Sequence, residues 1–262
     1  VKPFLFEIGG LGIPTYGVMA LLAYGAAVLV MIHYARRENL APRTVVDGLT
    51  LAIAAGLVGA RLLGVIVELR NIIAEPALLK TVIMANGVWL GGVIGAVGFG
   101  LWWFRKAEIP VLGGMDIFAM AGAMATAVSR WGCFFSGCCW GKPTDLPWGV
   151  TFPEIAHNLH PGLPYGPVHP TQIYQSLVGI GVFAILALVY RRKRFDGQIF
   201  LLYLILLSVT RFFMEYVRGD AERGFVVEGV LSTSQFIGIL LLLVSLAAYV
   251  ALLRRARVAE PA

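Results

Sequence analysis

Residues 111–153 read VLGGMDIFAMAGAMATAVSRWGCFFSGCCWGKPTDLPWGVTFP. The first part, about 111–135, is an apolar run long enough to cross a hydrocarbon core of ~30 Å as a helix. It carries Arg130 near its end and passes into a turn holding Gly132, Cys133, Gly137, Cys138, Cys139 and Gly141. An arginine at the middle of a spanning helix costs ~2.5–3.5 kcal/mol on insertion scales, so Arg130 has to face water, a headgroup or a partner.

Runs of similar length recur near 14–34, 46–67, 82–104, 171–190, 198–217 and 233–253, separated by charged or Pro/Gly-rich breaks. The chain of 262 residues is 58% hydrophobic and only 14% charged, with a mean hydropathy of +0.80. Soluble domains have a near-even apolar share. The expectation is an all-α integral membrane protein of about seven transmembrane helices, forming a single polytopic domain over 1–262. The first run is expected as a retained helix, not a cleaved leader. Breaks are short except at about 136–170 and 218–232, and long ordered loops of this kind tend to carry function.

The net charge of +6 would point a soluble domain toward nucleic acid; in a membrane protein it reports orientation. One side gathers Arg36, Arg37, Arg43, Arg105, Lys106, the run Arg191 to Arg194, and Arg254, Arg255 and Arg257. The other holds only Lys2, Arg70, Lys80, Lys142, Arg218 and Arg223. The positive-inside rule then sets the N-terminus outside, the C-terminus in the cytoplasm and both long loops outward.

Three arginines remain inside apolar runs: Arg61, Arg130 and Arg211. Arg211, Glu215 and Arg218 lie at i, i+4 and i+7 on one helical face. Two readings stand. In the first, Arg130 and Arg218 snorkel to headgroups and Arg211 pairs with Glu215 for structure. In the second, the guanidinium forks bind a phosphate, as on a phospholipid entering sideways from the outer leaflet. No Walker-type or dinucleotide loop suggests a nucleotide, and the small-xxx-small spacing of Gly91 and Gly95 argues close helix packing, not a phosphate cradle. No internal repeat of the kind common in carriers is seen, which argues against a transporter.

The stretch SRWGCFFSGCCWGKPTDLPWG from Ser129 resembles the signature of the prolipoprotein diacylglyceryl transferase family. YGVMALLAYGAA from Tyr16, GARLLG from Gly59, HPTQIYQSL from His169, RFFMEYVRGD from Arg211 and STSQFIGI from Ser232 match in the same order. The resemblance spans essentially the whole chain. It implies an enzyme of the bacterial cytoplasmic membrane, with its active site toward the outer leaflet. Such enzymes move the diacylglyceryl group of phosphatidylglycerol onto the lipobox cysteine thiol of a prolipoprotein and release glycerol 1-phosphate. Carried over onto this chain, Arg130 and Arg211 match the essential arginines and Arg218 a further one. Glu215 orients them, Tyr16 and Arg61 lie near the lipid, and Gly132, Gly137 and Gln172 line the site. No cofactor, metal or nucleic acid is implied.

The chain departs from the family pattern at Leu90, where many members have a histidine before the Gly-Gly pair. It departs again in the turn, where Cys133, Ser136 and Cys138 replace polar and acidic residues, and at Gln175, where a glutamate is usual. Leucine cannot take a proton. His169 is then the candidate imidazole, although its place in the resemblance is in the turn, and a thiol beside arginines can also ionise unaided. The alternatives are a paralogue with another acceptor and a non-catalytic lipid- or lipoprotein-binding protein. The three cysteines with His157, His160 and His169 offer zinc-type donors, but C-x4-C-C followed by H-x2-H is no established ligand spacing. A reactive Cys138 or Cys139 is the other reading of the same residues.

Overall fold

The computed structural model describes residues 2–8, 11–84, 87–219, 225–227 and 231–259. In chain order the elements are β1 (Phe4–Ile8), β2 (Leu11–Pro14), α1 (Thr15–Arg37), α2 (Pro42–Val67), α3 (Leu69–Ala74), α4 (Leu78–Met84), α5 (Trp89–Lys106), α6 (Val111–Ser136) and α7 (Glu154–Leu159). They continue with α8 (Thr171–Tyr190), α9 (Gln198–Val217), β3 (Phe225–Val227), β4 (Leu231–Ser232) and α10 (Thr233–Ala259). The protein is mostly helical; the described residues also form two small antiparallel strand pairs, β1 with β2 and β3 with β4, that the apolar pattern did not announce.

Among the described residues six helices are long and apolar enough to cross a membrane: α1, α2, α6, α8, α9 and α10. The apolar run expected at 82–104 is divided. Met84 ends α4, Gly87 and Val88 are not helical, and α5 starts at Trp89. A sliding reading of hydropathy averages across such a break, because Val88 is apolar whether or not it is helical.

Contacts divide the chain into two compact units, residues 31–115 and residues 1–30 with 116–262. The 31–115 unit is organised by α2 against α5. A Cβ added at Gly59 would run into the Gly91 carbonyl, and one at Gly95 into the Ala55 carbonyl. The small residues thus let two backbones touch, as their spacing predicts. Trp103 seals the other end, its Nε1 donating to the Thr44 carbonyl at 3.0 Å. Both α1 and α5 stop with a left-handed residue, Asn39 at φ 55° and Glu108 at φ 55°. The next amide returns to the helix: Leu40 N–H to the Ala35 carbonyl and Ile109 N–H to the Phe104 carbonyl, both 2.9 Å. That pattern satisfies carbonyls a helix end leaves open.

The other unit holds β1, β2, the first turns of α1, most of α6, and everything after it. Asp116, fully buried on α6, accepts from the amides of Gly197 (2.9 Å) and Phe200 (2.8 Å) at the start of α9, and it pairs with Lys193 at 3.2 Å. An anion at a helix N-terminus meets open N–H groups and the positive end of the dipole. Ser176 Oγ donates to the Ala127 carbonyl at 2.6 Å and binds α8 to α6. The start of α10 is a capping box: Gln235 N–H donates to Ser232 Oγ and Ser232 N–H to Gln235 Oε1, each 3.1 Å.

The long segment 136–170 has structure of its own. It contains α7 and a small apolar core of Phe152, Ala156, Leu163 and Val168, against which Phe134, Trp140 and Val150 pack. Of the expected loop 218–232, residues 220–224 and 228–230 lie outside the described residues.

Candidate functional site

The turn after α6 is held from two sides by backbone. The Gly141 amide donates to the His169 carbonyl and the His169 amide to the Lys142 carbonyl, both at 3.0 Å. The Lys142 amide donates to the Val217 carbonyl at 2.9 Å, and Gly219 to the Trp140 carbonyl at 3.2 Å. Three segments far apart in sequence therefore meet at residues 140–142. Only glycine fits the crossing: a Cβ on Gly141 would lie 2.5 Å from the His169 Cβ and 2.7 Å from the Val217 carbonyl oxygen. Gly137, at φ 77°, makes the bend that starts the turn.

Side chains at the start of α8 complete the hold. Thr171 Oγ1 donates to the Cys139 carbonyl and Gln172 Nε2 to the Cys138 carbonyl, each at 2.6 Å. Both residues are buried. They fix a turn in which Cys139 adopts φ 59°, a left-handed conformation uncommon for a residue with a Cβ. Gln172 was a candidate from the sequence. Thr171 was not, although it lies in the same quoted motif.

Arg130 lies in the last turns of α6, partly exposed, and its guanidinium forms no ion pair or hydrogen bond with any described residue. Two residues on, Gly132 brings α1 close: an added Cβ would lie 3.0 Å from Met19 Cβ and 3.3 Å from Tyr16 Cδ2. Tyr16, 52% exposed, is within electrostatic reach of Arg130 and of all three cysteines. Arg218 follows the end of α9, is 8% exposed, and its backbone bridges to Gly141. Arg130, Arg218 and Tyr16 thus surround the cysteine turn.

Arg211 is engaged differently. Its Nη2 lies 3.0 Å from Glu215 Oε2 and 3.2 Å from Ser234 Oγ. The i, i+4 pair expected from the sequence is present, and Ser234 in the first turn of α10 supplies a second partner that the sequence did not single out. Arg218 is not on that helical face: α9 ends at Val217 and Arg218 is extended. The i+7 place expected from the sequence is therefore not realised, and Arg218 joins the turn through its backbone bridge to Gly141.

His169 is partly buried, and its Nδ1 is 3.3 Å from the Tyr174 hydroxyl. That hydroxyl accepts from Trp148 Nε1 at 2.7 Å, which leaves its own proton free to point at the imidazole. His157 is buried and bonded through Nδ1 to the Leu163 carbonyl at 3.1 Å, with Tyr165 stacked on it at 4.2 Å. Neither His157 nor His160 joins the cysteines; among the described residues the only cluster of metal-type donors is Cys133, Cys138 and Cys139. Hydrogen bonds from Cys133 and Cys138, with the charges of Arg218 and Arg130, hold the Cys139 thiol well below the usual thiol range. Its neighbour Cys138 is pushed up by the same sulfur contacts and by burial.

Arg61 lies in the other compact unit, partly buried along α2, one residue past Ala60, whose carbonyl accepts from the Val88 amide at 3.0 Å. Leu90, in the first turn of α5, is 54% exposed.

A multi-pass membrane protein with guanidinium groups around a glycine- and cysteine-rich turn can hold an anionic group at the end of its helices. Comparison with known proteins makes the class specific. Residues 3–251 match the family described as prolipoprotein diacylglyceryl transferase, and the chain belongs to that family. The phosphatidylglycerol–prolipoprotein diacylglyceryl transferase of Clostridium tetani is 37% identical over 251 residues, covering 94% of this chain and 96% of its own. The Finegoldia magna protein of the same name is 33% identical, covering 91% and 90%. One from Clostridium perfringens is 32% identical, covering 91% of each.

Proposed function

We propose that this transferase moves the diacylglyceryl group of phosphatidylglycerol to the lipobox cysteine thiol of a prolipoprotein and releases glycerol 1-phosphate. The carrying observation is Arg130: a guanidinium with no hydrogen bond or carboxylate partner among the described residues, beside a turn that three segments hold. Arg130 and Arg218 take the phosphate oxygens, with Arg211, held by Glu215 and Ser234, as the third cation. The partner thiol attacks the glycerol carbon that bears the phosphate. The S–C bond forms as the C–O bond breaks, and the electron pair leaves on the phosphate, where the arginines stabilise it. The thiol proton goes to the phosphate or to water. Tyr16, Gly132, Gly137 and Gln172 shape the lipid site, and His169, tied to Tyr174, positions the turn from which any proton transfer would start. Arg61, in the 31–115 unit, is kept as a lipid-contacting candidate from the family resemblance alone.

In this reading the chain is one polytopic domain of the bacterial inner membrane. Seven spans result when α5 is counted, with the N-terminus outside, the C-terminus in the cytoplasm and the segments near 136–170 and 218–232 at the outer face. The excess of Lys and Arg on the opposite flanks supports this orientation.

The test is an assay of the detergent-solubilised protein with phosphatidylglycerol and a lipobox peptide, following glycerol phosphate release and peptide mass. A diacylglyceryl-modified peptide that disappears with Arg130→Ala is expected. Phosphate release with an unmodified peptide would mean a different acceptor, and lipid binding without turnover would remove the catalytic reading.

A further inference from the structure

The donor chemistry of the turn exceeds what phosphate binding needs. The Sγ atoms of Cys133, Cys138 and Cys139 all lie within 4.8 Å of one another, and none of the three is in a disulfide. A thiolate–metal bond is ~2.3 Å long, so an ion at the centre of three sulfurs wants them ~4 Å apart. The cluster is within a small side-chain adjustment of that triangle.

The backbone fixes this arrangement. Thr171 and Gln172 each hold a cysteine carbonyl, the Cys138 amide donates to the Cys133 carbonyl at 3.2 Å, and Cys139 is kept in its left-handed conformation. Cys133 is buried and its two neighbours are half-buried. Three sulfurs around one cation leave negative charge in excess, and the guanidinium groups of Arg218 and Arg130 are within electrostatic reach of Cys139 to offset it.

We infer that Cys133, Cys138 and Cys139 form a binding site for one soft, thiophilic cation held by three sulfurs, with Cu(I) the ion that fits best. Thiolate donors select soft ions. Zinc asks for a fourth ligand, and among the described residues no histidine or carboxylate joins the cluster. The thiols still protonated release their protons as the ion binds. This is a site for a ligand other than lipid and peptide, and it stands independently of the transferase reading because binding is measured directly.

The experiment is an anaerobic titration of the reduced, detergent-solubilised full chain with Cu(I) against a chromogenic Cu(I) chelator, with X-ray absorption on the loaded protein. One ion per chain is expected, with a shell of three sulfurs and no nitrogen. Cys138→Ser should weaken it by more than about 100-fold, beyond what loss of an outer-shell partner does. A readout on the unaltered chain guards against a variant that fails to fold: Cu(I) should protect all three thiols together from iodoacetamide, counted by mass. Cu(I) held no more tightly than by the triple Cys→Ser protein would overturn the site. So would nitrogen ligands in the shell, or isolation of the protein with two of the three thiols oxidised to each other and no Cu(I) uptake after reduction.

Discussion

Asp116 and Arg130 lie on the same helix, α6, and carry opposite charges to opposite fates. Asp116 is fully buried and completely answered, by Lys193 and by two amides at the start of α9. Arg130 is partly exposed and makes no hydrogen bond or carboxylate pair with a described residue; the groups its charge reaches are Tyr16 and the thiols of the turn. A buried charge persists only when it is paired and hydrogen-bonded. The first is therefore part of the scaffold, and the second is the group that the proposed reading gives to the lipid phosphate. Arg211 stands between them, with Glu215 and Ser234 as partners on a side chain that is still a quarter exposed.

The comparison can be broken most forcefully at Asp116. Asp116→Ala removes the buried carboxylate from Lys193 and opens two amides at the head of α9, so a loss of about 3–5 kcal/mol is expected. It reads as a lower unfolding temperature in detergent, while the rate per folded molecule stays within a few-fold. Arg130→Ala should do the reverse: no change in unfolding temperature, and a fall of about 10²–10³-fold in glycerol phosphate release. Arg130→Lys should recover only part of that, because an ammonium cannot bind two phosphate oxygens as a fork does. If Arg130→Ala unfolds the protein instead, the arginine belongs to the scaffold and the distinction fails.

Thr171→Val sharpens the boundary, since it touches the turn without touching charge. Removing one buried donor to the Cys139 carbonyl should cost about 1–3 kcal/mol, and the rate should fall with it because the turn loosens. The smallest effect concerns pH. A thiol held low in the folded state keeps its thiolate as pH falls below the ordinary range. Iodoacetamide labelling of Cys139 should therefore decline far more gently below about pH 8.5 than the tenfold per unit of a free thiol, while Cys138 stays slow. By the same sign, the stability Cys139 contributes is present above the unfolded pKa and is lost only as pH falls through the lowered folded value. Peptide-resolved mass spectrometry reads both cysteines, and parallel decline at the two would remove the asymmetry.

The helices and the cations were legible in the sequence for one reason: hydrocarbon makes charge and exposed backbone expensive, so apolar runs and the arginines inside them stand out. Gly91 and Gly95 announced a close helix contact, and α2 meets them. The Arg211–Glu215 pair followed from spacing alone. What escaped is carried by other means. The hold on residues 140–142 is backbone to backbone, which leaves no mark on side-chain pattern beyond a glycine such as Gly141. Asp116 is a single acid in an apolar run, and its partner Lys193 looks like one more basic residue at a helix end. The break before Trp89 is bridged by an apolar Val88, so α4 and α5 read as one run. Ser232-Thr233-Ser234-Gln235 carries a capping pattern that could have placed the start of α10, and with it Ser234 beside Arg211.

The meeting of three segments at residues 140–142 also fixes an order of events. The turn is synthesised right after α6, yet the carbonyls that hold it arrive only with His169 and then with Val217. A nascent chain that has delivered Arg130 to the membrane still lacks the complete frame of residues 140–142 until Val217 and Gly219 have been made. The turn is therefore finished late in biogenesis, and a ribosome stalled before Val217 leaves a chain that has its arginine but not the last carbonyl that holds residues 140–142.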